Sequence, residues 1–577
     1  MQNKEVASIF RDIADILEIK DENVFRIRAY RAAASNIEGL PRQLSEIYGE
    51  DPVLISGIPG IGKDLSEKIK EMVTTGHLEF FSRLMGEFPP GFLDLLGISG
   101  LGPKKLKKLK DTLGIENVDD LEKACCANKV SGLEGLGVKT QQKMLDAIAR
   151  FRRNEGRMTA DKAGELADEV IAYLSEDPNF KKIEKAGSLR RGVETVGDID
   201  LLAVVKDTAS AAERFVSFSG REEIIAKGST KCSIKIGGAC QIDLRMVDAD
   251  CFGAALVYFT GSKQHNIKIR HLAKKQKRKV SEYGVFSVSP SGREKFIAGE
   301  KEKDVYGKLG MRWIPPELRE DRGEIEAALT GKLPRSLVAL GDVRGDLHLH
   351  TVDTDGKMSI EDLIECAIKK GYEYMAVTNH SKLVRIANGM DEKRLLKHIE
   401  NIRKTARKYR NIAVLAGVEV DILKDGTLDM EDYVLKELDI VIAAVHSNFL
   451  ADKESQTRRL IRAMDNKYVN MLAHPSGRLI TKRDPLDFDT DKVFAAAAEN
   501  NVILEINTHG ERVDLNDVNC IRAKELGARF SINTDSHEAH QMDGMALGVA
   551  TARRAWLEKK EVVNTYTFDK LKKTLKR

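Results

Sequence analysis

Two aspartates stand two positions apart at the start of an apolar run, and a glycine-serine turn with two arginines precedes them. The stretch 187–202 reads GSLRRGVETVGDIDLL, so Asp198 and Asp200 open a segment whose composition predicts a buried strand. Side chains at positions i and i+2 of a strand point to the same face, so the two carboxylates form a pair. Hard oxygen ligands beside an anion-binding turn at Gly187 and Ser188 suit Mg²⁺ and a nucleoside triphosphate.

A third carboxylate is needed to hold two divalent ions, and Asp243 in the segment QIDLRMV lies on a candidate neighbouring strand. Two such ions, about 3.5–4 Å apart, activate a primer 3′-hydroxyl and stabilise the leaving pyrophosphate. Downstream, the segment YFTGS joins the aromatic pair Tyr258 and Phe259 to a turn at Gly261, which suits a sugar pocket, and Asn266 follows at helical spacing. These residues predict a nucleotidyl-transfer site.

Histidines concentrate at the ends of predicted strands in the last part of the chain. Of the 12 histidines, only His77, His265 and His271 precede residue 348. Ligands presented from successive strand ends of an α/β barrel converge at one mouth. The candidate ligands are His348, His350, Asp355, His380, Glu419, His446, His474, Asp535 and His537. Mixed imidazole and carboxylate ligands suit two or three ions of Zn²⁺, Mn²⁺ or Fe²⁺ rather than Mg²⁺ or Ca²⁺.

A glycine pattern recurs three times in the first 150 residues, as GIPGIGKDLSEKI, GISGLGPKKLKKL and GLEGLGVKTQQKM. Such glycines let backbone N–H groups approach a phosphate at a helix N-terminus, where the helix dipole favours an anion. The repeats resemble helix-hairpin-helix motifs, which bind the sugar-phosphate backbone without reading sequence. The alternative is a set of turns that only connect packed helices. The candidate DNA contacts are Gly57, Gly60, Gly62, Gly97, Gly100 and Gly102.

Length and composition limit the class of protein. A chain of 577 residues is too long for one hydrophobic core and predicts about three to five domains. The net charge of +4 by itself gives little support to nucleic-acid binding. The 7 cysteines form no C-x-x-C pair, which argues against a disulfide framework. No apolar run reaches the roughly 18 residues of a membrane span, and the N-terminus reads as an amphipathic helix, so we expect a cytoplasmic protein without membrane contact.

The elements that position these residues change along the chain. A mostly helical first part is followed by a mixed region, with strands expected around 183–187, 198–205, 233–237 and 240–247. In the last part, short apolar strands alternate with helices, at 375–378, 412–418, 440–445, 469–473, 502–506 and 529–533. That alternation predicts a parallel α/β barrel.

The order of GSxRRG, DxD, Asp243 and YFTGS resembles the family X DNA polymerases, the group that contains polymerase beta. The resemblance extends from near the start of the chain to about residue 320. It implies that Asp198, Asp200 and Asp243 bind both metal ions, with Asp243 next to the primer terminus. Gln241 is a departure, because family members can carry a basic residue at that position.

The same resemblance implies the contacts of the incoming nucleotide. Beside Gly187, the implied triphosphate contacts are Ser188, Arg191 and Arg157. The implied contacts of the sugar and the base edge are Tyr258, Phe259, Gly261 and Asn266.

The segment VFRIRAYRAAASNIEGLP and the first glycine hairpin resemble the small lyase domain of polymerase beta, with Lys68 at the position of the Schiff-base lysine. A lysine nucleophile must lose its proton, and crowding by other cations lowers its pKa. Lys63, Arg26 and Arg31 are the candidates for that crowding, and Tyr30 matches an associated tyrosine. The alternative is that Lys68 lies on an ordinary exposed helix face.

The histidine motifs resemble, in their order, the PHP (polymerase and histidinol phosphatase) domain with its usual ligand positions filled. Asp353 is the alternative to Asp355, and Arg478, beside His474, is a candidate for holding a substrate phosphate. Such a cluster lowers the pKa of bound water towards about 7, which predicts phosphoester hydrolysis. Similar fusions in bacteria and archaea imply 3′→5′ exonuclease, 3′-phosphatase and abasic-site endonuclease activities, among which the sequence does not choose.

The predicted organisation is multidomain, with helical helix-hairpin-helix domains, an α+β nucleotidyltransferase palm and thumb, and a distorted TIM-like PHP barrel. The predicted boundaries are 1–86 for a lyase-like domain, 87–155 for a second helix-hairpin-helix domain, 156–255 for the palm, 256–328 for the thumb, 329–342 for a linker and 343–577 for the barrel.

We therefore predict a monomeric DNA-repair polymerase that fills short gaps in gapped or nicked DNA with dNTPs, using Mg²⁺ or Mn²⁺ at the palm. Its barrel is predicted to hydrolyse phosphoesters at DNA 3′ ends. One alternative is a small-molecule phosphatase with a vestigial nucleotidyltransferase, which the intact carboxylates and YFTGS argue against. The other is a non-catalytic gap-binding scaffold, which the filled ligand sets argue against.

Overall fold

The computed structural model describes residues 1–575 apart from 2, 39, 41, 90, 99, 155, 237–239 and 481. The chain forms two compact units, one made of residues 1–155 with 481–483, and the other made of 156–480 with 484–577. The main division therefore falls between residues 155 and 156. Within the described residues, no helix combines the length and apolar character that a membrane crossing needs.

The first unit is built from helices. They are α1 (Asn3–Ile19), α2 (Val24–Glu38), α3 (Leu44–Glu50), α4 (Lys63–Thr75), α5 (Glu79–Met85), α6 (Pro103–Leu113), α7 (Val118–Cys126) and α8 (Val138–Asn154). One hydrophobic core contains buried side chains between Val6 and Leu84, and a second contains those between Phe92 and Ile148 together with Ile19. The first unit therefore contains two hydrophobic cores that follow one another along the chain.

Each glycine repeat turns the chain into the helix that follows it. The second glycine of the three repeats has left-handed backbone, with φ of 75° at Gly60, 84° at Gly100 and 77° at Gly135. Residues with a Cβ are strained in that conformation, which explains why glycine stands there. Gly62 and Gly102 are the N-caps of α4 and α6, and a Cβ on either would have no atom within 4 Å. These two helix starts are therefore open on that side.

The second unit begins with the palm. Its strands are β1 (Met158–Thr159), β2 (Phe180–Lys185), β3 (Thr195–Val196), β4 (Asp198–Val205), β5 (Arg221–Lys227), β6 (Lys231–Ile236) and β7 (Cys240–Met246), and its helices are α9 (Ala160–Ser175), α10 (Gly187–Arg190) and α11 (Thr208–Val216). The sheet order is β2-β4-β7-β6-β5, with β4 and β7 parallel. Ile199, Leu201 and Ile242 enter the core, which puts the intervening carboxylates on the opposite face.

The thumb follows with its own hydrophobic core, which includes Val257, Ile269 and Tyr306. Its helices are α12 (Phe252–Thr260), α13 (Lys263–Lys275), α14 (Glu302–Lys308) and α15 (Glu324–Leu329). Its strands are β8 (Arg278–Ser281), β9 (Gly284–Val288) and β10 (Glu294–Ala298), which form an antiparallel sheet in the order β10-β9-β8.

The last region is a barrel of seven parallel strands in sequential order. They are β11 (Gly345–Asp346), β12 (Tyr374–Val377), β13 (Ala413–Asp421), β14 (Ile440–Ala444), β15 (Met471–Leu472), β16 (Ile503–Asn507) and β17 (Phe530–Asn533). The helices are α16 (Ile360–Lys369), α17 (Glu392–Ala406), α18 (Asp432–Leu435), α19 (Lys453–Met464), α20 (Thr490–Glu499), α21 (Asp517–Glu525), α22 (Met545–Arg554) and α23 (Phe568–Leu575). A parallel bridge between Leu349 and Ser536 joins the first strand region to the last and nearly closes the barrel.

The segment 329–342, predicted to be a linker, is packed structure rather than a free connector. Leu333 is buried in the thumb core and Val338 in the barrel core. The Val338 N–H donates to the Leu557 carbonyl at 3.0 Å. Because its apolar side chains belong to both cores, the segment joins thumb and barrel within one compact unit.

A buried carboxylate joins the palm to the thumb. Glu302, at the start of α14, accepts hydrogen bonds from Arg190 Nη1 and Arg319 Nη1, both at 2.8 Å, and from Trp313 Nε1 at 3.1 Å. The Arg319 side chain is completely buried. Burial alone would raise the pKa of Glu302, but the charges of Arg319 and Arg190 hold that pKa at about 2.

We expect Glu302→Gln to lower the unfolding free energy by about 3–5 kcal/mol, because it leaves the buried Arg319 without a counter-charge. Urea unfolding followed by tryptophan fluorescence measures the effect. Since the pKa of Glu302 falls from 4.5 to about 2 on folding, its stabilisation is complete above about pH 4.5 and is lost as the pH drops towards 2. The control is Glu300→Gln at a nearby exposed position. Equal urea midpoints for Glu302→Gln and Glu300→Gln would show that the hydrogen bonds of Glu302 contribute nothing to stability.

Candidate functional site

The palm carboxylates meet on one face of the five-stranded sheet. Asp200 and Asp243 are register partners on the parallel strands β4 and β7, and Asp198 lies two positions earlier, opposite Gln241. Asp243 is buried, Asp200 is partly buried and Asp198 is exposed, so the group opens to solvent on the Asp198 side. The structure therefore brings the three predicted ligands together.

These carboxylates repel one another. Burial raises the pKa of Asp200 to about 6, and the charges of Asp198 and Asp243 add to the rise. Burial also acts to raise the pKa of Asp243, but side-chain hydrogen bonds, first that from Lys231, hold it below its ordinary value. Lys231 Nζ lies 2.6 Å from Asp243 Oδ2, and Gln241 Nε2 donates to Oδ1 at 2.8 Å. The basic partner of Asp243 is therefore Lys231 on β6, which the sequence pattern did not single out.

The Gly-Ser turn lies directly against Asp200. Gly187 has a φ of 61°, and a Cβ at this position would clash with the Asp200 carboxylate. The Ala186 N–H donates to the Asp200 carbonyl at 2.8 Å, which ties the turn to β4. Ser188 is partly buried in the same turn. The anion-binding turn predicted from the sequence is therefore adjacent to the metal-ligand candidates.

Both arginines predicted to bind the triphosphate have protein partners. Arg191 Nε donates to Glu320 Oε1 at 2.9 Å, and its Nη1 donates to the Thr260 carbonyl at 2.6 Å. Arg157 Nε donates to Thr195 Oγ1 at 3.1 Å. A guanidinium has five N–H donors, so these contacts leave donors on each arginine for phosphate oxygens.

The contact between Arg191 and Thr260 brings the YFTGS turn to the palm. Arg191 Nη1 lies 3.3 Å from the position of a Cβ on Gly261. The rings of Tyr258 and Phe259 pack edge to face with centroids 5.1 Å apart, and Asn266 Nδ2 donates to the Tyr258 carbonyl at 2.7 Å. The predicted sugar and base contacts therefore form one connected group beside the predicted anion-binding turn.

The candidate ligands of the barrel come from the carboxyl ends of its strands. Three overlapping groups bring their ligand atoms within 4.8 Å of one another. The groups are His350, Asp355, His380 and His537, then His348, His350 and Asp535, and then His380, Glu419 and His446. The remaining candidate, His474, places its Nε2 2.9 Å from Glu419 Oε1. All nine predicted ligands therefore belong to one cluster.

Glu419 lies at the centre of this cluster. Its Oε2 is 2.7 Å from His380 Nδ1, and its Oε1 is 3.3 Å from His446 Nε2. Burial would raise the pKa of Glu419, but the imidazoles of His380, His446 and His348 hold that pKa well below its ordinary value. Asp355 contributes from the mouth, with Oδ2 3.3 Å from both His380 Nε2 and His537 Nε2. This geometry favours Asp355 over Asp353 as the ligand.

The chemistry of the donors fits divalent transition-metal ions. Burial, with the neighbouring His537 and His380, lowers the pKa of His350 to about 3, so its imidazole is neutral and able to bind a metal. An unpaired buried polar atom costs about 1–3 kcal/mol, and cations in this cluster would satisfy many such atoms at once. Among the described residues, the buried ligand atoms that make no hydrogen bond, although some lie close to an opposite charge, are His348 Nε2, both ring nitrogens of His350, His380 Nδ1, Glu419 Oε2, His446 Nδ1, His474 Nδ1 and Asp535 Oδ1.

Comparison with known proteins follows the same division. Residues 1–78 match the helix-hairpin-helix domain, 92–150 the SAM-like helix-hairpin-helix tandem, 255–320 the DNA polymerase beta thumb and 346–509 the PHP domain. The DNA polymerase/3'-5' exonuclease PolX of Bacillus subtilis (strain 168) is 38% identical over 579 residues, which cover 100% of both chains. This chain belongs to the family X DNA polymerases that carry a PHP domain.

Shorter relatives match this family X polymerase over part of its length. A probable phosphatase of Thermoanaerobacter sp. (strain X514) is 29% identical over 243 residues, 40% of this chain and 94% of its own. A probable phosphatase of Shewanella sp. (strain MR-4) is 32% identical over 209 residues, 34% of this chain and 78% of its own. With the full-length relative, these matches confirm the predicted family and the multidomain fold class.

Glu505 of the polymerase, on β16, is a buried carboxylate beneath the ligands that the sequence motifs did not reveal. Its Oε1 lies 2.7 Å from His348 Nδ1, and its Oε2 accepts the His474 backbone N–H at 2.8 Å. A carboxylate on Nδ1 holds the other ring nitrogen of a histidine towards a metal. His474 and Asp535 also have left-handed backbone, with φ of 28° and 52°. Strain of this kind costs about 1–3 kcal/mol and is typical of functional positions.

Arg478, the candidate for holding a substrate phosphate, has a protein partner in the palm. Its Nη1 and Nη2 bind the two oxygens of Glu194 in the palm, at 3.1 Å and 2.5 Å. A second contact joins the same regions, because Arg554 Nη1 of α22 donates to the Arg191 carbonyl at 2.9 Å. Arg478 therefore ties the barrel to the palm, and its predicted contact with a substrate phosphate is not supported.

In the first unit, Lys68 is mostly covered rather than on an open helix face. Its side chain is 13% exposed, and Nζ lies 2.5 Å from Asp64 Oδ1 and 5.0 Å from the centre of the Phe80 ring. Arg26 and Arg83 lie over the same ring, at 5.4 Å and 5.5 Å. Arg31, which was expected to crowd Lys68, instead binds Asp15 and Glu18 on α1.

We expect Glu505→Gln to weaken metal binding at the barrel by about 10- to 100-fold, because the carboxylate that orients His348 is lost. Competition with a chromogenic chelator measures the affinity, and elemental analysis gives the number of ions bound. Glu499→Gln, at an exposed position at the end of α20, is the matched control. A Glu505→Gln protein with the metal affinity of this control would contradict the role assigned to Glu505.

Proposed function

We propose that this family X polymerase is a DNA-repair enzyme that fills short gaps and hydrolyses phosphoesters at DNA 3′ ends. The observation that carries the proposal is the presence of two separate ligand clusters in one chain. Three carboxylates meet at the palm, and an imidazole and carboxylate cluster lies at the mouth of the barrel. The name of the full-length relative contains one activity for each cluster.

For the palm, the proposed ligands of Mg²⁺ or Mn²⁺ are Asp198, Asp200 and Asp243. A bound pair of such ions supplies activation of the primer 3′-hydroxyl and stabilisation of the leaving pyrophosphate. The protein supplies position: bound cations would offset the burial and the carboxylate repulsion that together raise the pKa of Asp200. Ser188 and Arg191 lie beside these carboxylates for the triphosphate of a dNTP.

For the barrel, the proposed cofactors are two or three ions of Zn²⁺, Mn²⁺ or Fe²⁺. Such ions lower the pKa of a bound water towards about 7 and polarise a phosphate oxygen. The neutral His350 and the anionic Glu419 are in the protonation states that ligands require. Among the activities at 3′ ends, the 3′→5′ exonuclease is favoured by the name of the full-length relative. Phosphatase and abasic-site endonuclease activities use the same chemistry.

A second candidate for the barrel is hydrolysis of small phosphate monoesters. The similarity to probable phosphatases over 40% and 34% of this chain favours it. Rates on histidinol phosphate and on a 3′-phosphorylated primer discriminate between the candidates, since a DNA-end enzyme will prefer the primer.

The proposed partners are gapped or nicked DNA and dNTPs, and the proposed state is a cytoplasmic monomer. The open helix starts at Gly62 and Gly102 suit backbone phosphates. Because such contacts are electrostatic, affinity for gapped DNA should fall as the salt concentration rises.

The proposal includes a deoxyribose-phosphate lyase at Lys68. Arg26 and Arg83 lie over the same Phe80 ring as Lys68, and Lys68 pairs with Asp64. Tyr30 is buried next to this group, and burial, with the charge of Asp64, raises its pKa to about 12. The tyrosine hydroxyl therefore keeps its proton at neutral pH and does not act as a base there.

We expect Asp198→Ala to abolish extension on gapped DNA while leaving 3′-end hydrolysis unchanged, and His350→Ala to do the reverse. Loss of a residue that only hydrogen-bonds to a metal ligand lowers activity by about 10- to 100-fold, and loss of the ligand itself should lower activity by more. Primer extension and 3′-end hydrolysis on the same gapped substrate measure both activities. Each variant is the control for the other, and loss of both activities in a folded Asp198→Ala protein would disprove two independent sites.

We expect Lys68→Ala to lose the covalent adduct that borohydride traps on a 5′-deoxyribose-phosphate substrate, because the amine that forms the Schiff base is absent. Gel analysis of the trapped protein–DNA adduct measures this. Lys70→Ala removes a neighbouring lysine of α4, which pairs with Glu67, and should keep the adduct. An undiminished adduct in Lys68→Ala would reject the assignment.

A further inference from the structure

Arg512 holds a guanidinium against the ligand cluster without a good protein partner. Its Nε lies 4.0 Å from Asp535 Oδ2, and the side chain is 17% exposed. Nε is buried, and it donates a hydrogen bond to no acceptor among the described residues. Asp535 is already shared, because its Oδ1 lies 3.0 Å from His350 Nε2 and 3.5 Å from His348 Nε2. Arg512 therefore has an unsatisfied donor on the side of the metal ligands.

Other covered arginines of the barrel are satisfied by the protein. Arg459 donates to the carbonyls of Leu423 and Ser447, each at 2.9 Å. Arg478 binds Glu194 through both terminal nitrogens. A guanidinium has five donors and cannot be deprotonated, so covering one without acceptors is unfavourable. Among these barrel arginines, Arg512 is the one whose unused buried donor lies beside the metal-ligand candidates, which suits an acceptor from outside the chain.

The loop that carries Arg512 is held in place. Asn507 and Asp514 exchange two backbone hydrogen bonds, of 2.6 Å and 2.9 Å, which close the loop between them. The carboxylate of Asp514 accepts from the Ser476 hydroxyl at 2.9 Å. Arg512 is therefore positioned at the edge of the metal-ligand cluster.

We propose that Arg512 is the phosphate-binding residue of the barrel site, where its guanidinium donates to a non-bridging oxygen of the substrate phosphoester. This inference rests on the proposed function of the barrel and names a residue that contacts its substrate. Guanidinium binds phosphate oxygens with charge-assisted and often bidentate hydrogen bonds. The released phosphate monoanion or dianion offers the same oxygens, so it should bind as a product.

The probe is inorganic phosphate, titrated calorimetrically into the metal-loaded full-length protein. We expect Arg512→Gln to weaken phosphate binding by about 10- to 100-fold, as loss of a charged hydrogen-bonding partner does, with the number of bound metal ions unchanged. Arg512→Lys keeps the charge but not the planar fork, and should recover part of the affinity. The control is Arg407→Gln at an exposed position after α17, with the affinity of the unmodified protein.

Three outcomes would contradict the assignment. One is unchanged phosphate affinity in Arg512→Gln, and another is loss of bound metal in both Arg512 variants, which would show a structural role. The third is no measurable phosphate binding by the unmodified, metal-loaded protein. If Arg512→Gln loses phosphate affinity at full metal content, the assignment holds even when no DNA 3′ end is hydrolysed. The proposed function and the role of Arg512 can therefore fail separately.

Discussion

The parallel register between β4 and β7 is the constraint on which the polymerase site depends. It pairs Asp200 with Asp243, while Ile199 and Ile242 turn into the core. A slip of one residue would send the carboxylates into the apolar layer and the isoleucines to the surface. The register therefore couples the stability of the sheet to the geometry of the predicted metal site. The burial of apolar side chains in the sheet offsets the repulsion between the neighbouring carboxylates.

In the barrel, buried carboxylates are stabilised by the histidines that surround them. Glu419 and Asp535 are buried carboxylates whose pKa values are held low by the histidines around them, although burial acts in the opposite direction. The pKa of His348 is raised instead, because the negative charges of the neighbouring carboxylates outweigh the effect of burial. Bound cations would replace protons in this network, which connects metal affinity to pH.

The two sites are chemically distinct but belong to one compact unit. Arg478 binds Glu194, which directly precedes β3 in the palm, and Arg554 binds both the Arg191 carbonyl and Glu320. Glu320 also accepts from the Arg191 side chain, so the barrel helix α22 contacts the environment of the nucleotide-binding turn. The barrel thus supports the palm in addition to any chemistry of its own.

Sequence alone determined the features that are local in the chain. The D-x-D pair, the Gly-Ser turn, the glycine repeats and the histidine motifs each lie within a few residues, and strand alternation was enough to predict the barrel and the convergence of its ligands. Short elements were missed where the pattern was weak, as at β11, which has two residues. The exposed strand β5 was missed because it carries no alternation of burial.

Only the tertiary structure decided which distant residues became partners. Lys231 reaches Asp243 because β6 lies next to β7, and Glu505 reaches His348 across 157 positions of the chain. Sheet order and barrel closure create these contacts, and neither leaves a short motif. The same holds for the opposite fates of Arg478 and Arg512, because which arginine finds a carboxylate depends on the packing of barrel against palm.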